Sequence, residues 1–204
     1  MKDFTSSTTW DYLHPDVLRP KLISASIFIA AFESFKSLII EDVKDFYIFP
    51  VGEPDERSRE NYFSKVLSLN KSPLYASFEW LKEREAIDDS DIEKFNRLKK
   101  MRNSLAHGLY EKIGSEDFPD LTEDFTIMAE LMQKIKVWWI MNVELPTDPD
   151  WADKEVDESG IQTGPVMMLR MLMDIALGDD ETSTYYYNEI KKRTAASQPG
   201  TDNS

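Results

Sequence analysis

From Pro20 the chain reads "PKLISASIFIAAFESFKSLIIEDVKDFYIF" as far as Pro50, with Leu22, Ile23, Ile27, Ala30, Ala31, Phe35, Leu38, Ile39, Val43 and Phe46 at three- and four-residue spacing. That spacing predicts a long amphipathic helix, with Pro20 in its first turn. "PVGEPDERSR" (50–59) reads as a polar loop. A second helical region follows over about 59–86, restarted at Ser72-Pro73. "DDSDIEKFNRLKKMRNSLAHGLYEKIG" reads as a third helix, with Ser90 as N-cap and Glu93 completing a capping box. Gly108 inside it costs about 1 kcal/mol relative to alanine and marks an end or a bend. "LTEDFTIMAELMQKIKVWWIMNVEL" (121–145) is a fourth helix, with acid in its first turn and a stop before Pro146. Four helices on short links give an all-α fold, an antiparallel four-helix bundle.

Beyond the bundle the pattern weakens. Residues 146–165, "PTDPDWADKEVDESGIQTGP", are acidic and broken by proline and glycine, as in a linker or wrapping arm. "VMMLRMLMDIALG" (166–178) is an additional C-terminal helix rich in methionine, either docked on the bundle or offered to a partner. The expected organisation is an N-terminal extension (1–19), the bundle (20–145), the acidic linker (146–165), a helical appendage (166–190) and a flexible tail (191–204).

Composition narrows the function classes. With 204 residues, 41% of them hydrophobic, the chain can bury one good core. It has no cysteine, which removes disulfides, thiol nucleophiles and zinc–thiolate sites together. The most apolar run, 22–32, stops at Glu33 and Lys36, short of the roughly 18–20 residues of a bilayer span. The N-terminus lacks the charged-then-apolar order of a secretory signal, so the expectation is a cytoplasmic protein with no membrane contact. A net charge of −14 opposes general nucleic-acid binding. Its distribution is uneven: residues 144–204 carry thirteen acidic side chains against five basic, so −8 sits there. Segment 91–113 reverses the balance, with six basic residues (Lys94, Arg97, Lys99, Lys100, Arg102, Lys112) against three acidic.

That basic island contains "RNSLAH", Arg102 to His107. At 100° per residue, with Arg102 at zero, Leu98, Met101, Leu105 and Leu109 fall between roughly 260° and 340°, the core-facing stripe. Asn96, Lys100, Asn103, His107 and Tyr110 fall between roughly 80° and 160°, away from it. His107 is therefore expected outside the core, with Arg102 at the border, its long side chain able to reach the polar face.

In order and position, "RNSLAH" near the end of the third helix resembles the R-x4-H motif of the HEPN family (higher eukaryotes and prokaryotes nucleotide-binding domains). The resemblance spans residues 20–143 in helix order, and its sequence-specific part is those six residues and their flanks. It implies a metal-independent endoribonuclease, of toxin or phage-defence type, in which two protomers bring their motifs into one cleft. Carried over by position, Arg102 binds phosphate, His107 is general acid or base, and Asn103 orients the site. No cofactor or metal is called for. The implied partners are a second copy, an RNA substrate, and an antitoxin or defence-complex protein. HEPN-like domains also include non-catalytic dimeric scaffolds and interaction modules. Some toxin branches place a tyrosine two residues after the histidine; here Tyr110 comes three after, which separates this chain from them.

The chemistry suits these residue types. Histidine titrates near neutral pH and can move the proton of a ribose 2′-hydroxyl, while the arginine fork can hold two phosphate oxygens. One histidine per chain supplies acid or base, and cleavage uses both, so pairing two copies of His107 is sensible. Lys99, Lys100, Ser104 and Tyr110 are candidate substrate-binding residues beside them. An acidic arm folded over the basic island is a natural guard. Elsewhere, His14 reads as surface, the scattered glycines build no phosphate cradle, and "DDSD" (88–91) and "GDDE" (178–181) read as helix starts and loops. "VWW" (137–139) and "YYY" (185–187) read as core and docking aromatics.

Overall fold

The computed structural model describes residues 14–48, 55–113, 118–151 and 154–196, and among them the fold is all-helical, with no strand. Helix α1 runs Pro15–Ile48, α2 Glu56–Tyr62 and α3 Pro73–Lys82. Helix α4 runs Asp89–Ile113, α5 Thr122–Trp139, α6 Leu145–Thr147, α7 Gly164–Leu177 and α8 Asp180–Ala196. Wider π-helical turns extend α2 over Phe63–Leu67 and α5 over Ile140–Glu144.

The periodic pattern located the long helices, and local capping moved their ends. Helix α1 starts at Pro15 and carries Pro20 inside it, so the earlier proline takes the first turn. Asp55 caps α2 by accepting from the Ser58 N–H at 2.7 Å, which starts that helix inside the expected loop. The capping box of α4 is Asp88 with Asp91, not Ser90 with Glu93. Each of the two donates its N–H to the other's carboxylate at 3.1 Å. Asp88 is held down to about 2, first by the Ser90 hydroxyl and then by the Asp91 N–H. Asp91 is buried among the core and also takes Lys134 from α5. Gly108 (φ −116°, ψ 17°) bends α4 without ending it. At the C-terminal end α8 continues to Ala196, so residues 191–196 are helical where a tail was expected, and the remaining tail, 197–204, lies outside the described residues.

Helix α1 is the hub, packing against α2, α3, α4, α5 and α7. It buries Ala25, Phe28, Phe32, Phe35, Ile39 and Val43. The centre is an aromatic interlock in which the fully buried Phe95 of α4 meets Phe78 of α3 at 4.8 Å, Phe32 at 5.1 Å and Phe35 at 5.7 Å, ring centre to ring centre. A second group closes the far end of α1, where Trp80 donates to the Tyr47 hydroxyl at 2.9 Å and lies among Phe46, Trp138 and Trp139. The "VWW" run is thus packing, as expected. Among the described residues α1 alone is long and apolar enough to cross a membrane, by length and composition only, because the helix runs on through Glu33 and Lys36. Its buried face is spent on the other helices.

Phe95→Ala is expected to cost about 3–5 kcal/mol, since it deletes the ring that joins three helices. Urea unfolding followed by circular dichroism checks this, and a loss below about 1 kcal/mol would contradict the central position given to Phe95.

Candidate functional site on the fourth helix

The core stripe of α4 is as its periodicity requires. Phe95, Leu98 and Leu105 are buried, with Met101 and Leu109 packed against the core. This fixes the helix's rotation, and the motif residues follow from it.

Arg102 lies at the edge between α4 and α1. It turns to α1, where its Nη2 pairs with Glu33 Oε1 at 2.5 Å, while Nη1 donates to the Asn103 side-chain oxygen at 3.0 Å. Its Nε is buried and has no partner. The arginine edge formed by Nε and Nη2 can hold two oxygens of one oxyanion, and here Glu33 fills half of it. Glu33 is also bonded by Lys36 at 2.8 Å. Lys36, and after it Arg102, hold the Glu33 carboxyl below its usual range.

His107 is exposed, with no hydrogen bond or ion pair among the described residues, and Tyr110 beyond the bend is 94% exposed. Five residues of helix put Arg102 and His107 about 140° apart around α4. Within one chain Arg102 therefore engages α1 while His107 faces outward, and the two do not share a bond. Asn103, also exposed, is tied to Arg102 and not to His107.

The other candidates divide. Lys100 and Ser104, with Asn96, line a groove of about 650 Å³ between α4 and the start of α5, which Arg97 and Asp124 also line. Lys99 is held against α3, its ammonium 4.9 Å from the Tyr75 ring centre and 3.3 Å from the Tyr75 hydroxyl. That hydroxyl donates to Asn96 Oδ1 at 2.5 Å.

The basic island is largely neutralised. Arg97 is clamped by Glu123, at 2.6 and 2.9 Å, and by the buried Asp124 at 2.8 Å. The Glu123 bond raises the already high Arg97 value further and lowers that of Glu123. Lys94 pairs with Asp91 at 3.5 Å, and Arg102 with Glu33. Sequence reasoning missed these acids, although Glu33 interrupts an apolar stripe and "LTED" puts two carboxylates in one turn. The acidic arm also departs from expectation. It is anchored on α5, where Gln133 donates to the Ile161 carbonyl at 2.6 Å and accepts from Thr163 at 2.8 Å, and no described arm residue lines the α4 groove. His14 is a surface residue at the start of α1, its carbonyl accepting from Val17 and Leu18. Among the described residues no group of His, Asp and Glu could hold a metal ion.

No family model, no curated protein and no solved structure matches the chain.

The ion pairs of Glu33, with Lys36 first and Arg102 after it, should fade in acid. Because the folded Glu33 value is depressed, its stabilising contribution is present above the unfolded value near 4.5 and is lost as pH falls through the folded value below it. At neutral pH Glu33→Gln is expected to lower stability by about 0.2–1 kcal/mol, the range of a partly exposed pair. Parallel melting curves from pH 7 to pH 3 check the sign: the gap between parent and variant closes in acid, and a gap that widens there refutes the assignment.

Proposed function

We propose that the chain is a metal-independent endoribonuclease of HEPN type whose active cleft is completed by a second copy of itself. The observation that carries the proposal is the exposure of His107 on the outer face of α4, unbonded, beside Asn103 and Tyr110. A polar face with a free imidazole, five residues from an arginine whose Nε is buried and unpaired, supports a site short of its substrate. In the family arrangement α1, α3, α4 and α5 are the four bundle helices, and α7 and α8 are additions.

The reaction would run as follows. One imidazole takes the proton of a ribose 2′-hydroxyl, the oxygen attacks the adjacent phosphorus, and the 5′-oxygen leaves with a proton from the second imidazole. Products are a 2′,3′-cyclic phosphate and a 5′-hydroxyl end. Arg102 stabilises the charge gathering on the phosphoryl oxygens, exchanging its Glu33 carboxylate for the phosphate. Lys100 and Ser104 guide the strand along the α4 groove, Lys99 adds positive charge outside that groove where it rests on Tyr75 of α3, and Tyr110 offers an exposed ring for a base to stack on. A toxin or phage-defence setting, with an antitoxin or defence-complex partner, follows from the family likeness.

A second function is favoured by one specific feature. With Arg102 held by Glu33 and Arg97 by Glu123 and Asp124, little free positive charge faces RNA. That pairing suits a non-catalytic dimeric HEPN-like scaffold or interaction module, in which Arg102 ties α4 to α1.

Incubating parent, His107→Ala and Arg102→Ala proteins with total cellular RNA in EDTA separates the two. The ribonuclease is expected to cut, with His107→Ala losing about 100-fold or more while its circular dichroism is unchanged. No cleavage by any of them gives the scaffold function.

A further inference from the structure

The three nitrogens of the Arg102 guanidinium are unequally served. Nη1 donates to Asn103 Oδ1 at 3.0 Å, Nη2 pairs with Glu33 Oε1, and Nε is buried with no acceptor. An arginine edge beside a carboxylate frequently makes two parallel bonds, one from each nitrogen to each oxygen. Glu33 has a second oxygen that such a fork would use, and it is taken instead by Lys36, whose ammonium lies 2.8 Å from Oε2. A buried charged donor without an acceptor is costly, so Arg102 has a standing tendency to fill the Nε–Nη2 edge.

We infer that Lys36 is a positioning residue for phosphate: by holding Glu33 Oε2 it keeps the carboxylate from closing on both nitrogens of the Arg102 edge, and it keeps the carboxylate when a phosphate group of RNA takes that edge. Glu33 and Lys36 stand one turn apart on α1, with Arg102 facing Glu33 from α4. All three side chains are partly exposed, so none is locked into the core. Lys36, more than Arg102, also holds the Glu33 carboxyl below its usual range. In the free protein Glu33 bridges the two cations. With phosphate on Arg102, Glu33 needs only to let go of Nη2, since Oε2 stays on Lys36. A carboxylate released with no such cation would be an uncompensated negative charge a few ångströms from the incoming anion, and would oppose it. Lys36 thus both weakens the internal competitor and shields the phosphate from it.

The inference rests on the ribonuclease reading in one respect, that the oxyanion Arg102 meets is an RNA phosphate. Its test therefore reads binding and not cleavage. A short fluorescein-labelled 2′-O-methyl RNA lacks the nucleophilic hydroxyl, and its anisotropy at fixed ionic strength gives affinity without turnover. Glu33→Gln is expected to tighten binding about threefold or more, because the competitor loses its charge. Lys36→Met is expected to weaken binding about fivefold or more, as Glu33 then closes on both nitrogens, and Lys36→Arg to restore most of it. In the Glu33→Gln background Lys36→Met is expected to change affinity by less than about twofold, since no carboxylate remains to be held.

Equal losses from Lys36→Met in both backgrounds would make Lys36 a plain attractor of polyanions and overturn the inference. So would a Lys36→Met protein that binds as well as the parent, an affinity untouched by Glu33→Gln, or no binding by parent and Glu33→Gln alike. Circular dichroism matching the parent is expected for all the variants, whose substitutions lie at partly exposed positions. Failure of the ribonuclease reading has a different signature: the double-substitution pattern holds while ordinary RNA is left uncut, and Lys36 then serves a phosphate-binding scaffold.

Discussion

Burial of α1 on several sides at once is the constraint under which the other helices find their places. Its inward face carries Phe28, Phe32 and Phe35 one turn apart, and Phe95 wedges between α1 and α3 against two of them. Ring packing of this kind is directional, so it sets the rotation of α4 as well as its distance. Once Phe95, Leu98 and Leu105 face inward, helical geometry leaves Arg102 at the α1 edge and His107 on the outside. The exposure of His107 is thus a consequence of the rotation that core packing imposes on α4.

Electrostatics then modifies what that geometry presents. A chain with an excess of acid surrounds its one basic helix with carboxylates, and Arg97, Arg102 and Lys94 each acquire one or more. Exposed pairs of this sort add little stability, but they set what a polyanion must displace. Under the proposed ribonuclease function Glu33 would compete with the phosphate for Arg102; under the scaffold function the same pair would simply tie α4 to α1.

The helices were legible in the sequence because apolar periodicity reports burial, and the long segments 20–50, 90–113 and 121–145 each carry several turns of it. Their ends were less so. Asp55 and Asp88 cap helices through side-chain bonds that several nearby Asp and Ser residues could equally have made, and periodicity does not rank them. Helix α8 was expected only as part of a helical appendage ending at 190, because its periodicity is weak: none of its described residues is buried and its tie to α7 is the Tyr186 hydroxyl on Asp174 at 2.8 Å. In the site, the outward position of His107 followed from helical angles. The partner of Arg102 did not, because Glu33 is distant in sequence and only the packing of α4 on α1 brings the two together. The arm's attachment to Gln133 was hidden for the same reason.

The central claim is that two copies of His107 act in one cleft, one as base and one as acid. Mixing wild-type chains with His107→Ala chains, allowing subunits to exchange, and measuring RNA cleavage at fixed total protein tests it most directly. If the cleft is composite, activity follows the square of the wild-type fraction, falling to about a quarter in an equal mixture, because mixed dimers lack one of the two imidazoles. Activity in direct proportion to the wild-type fraction would mean that each chain acts alone, and would contradict the account.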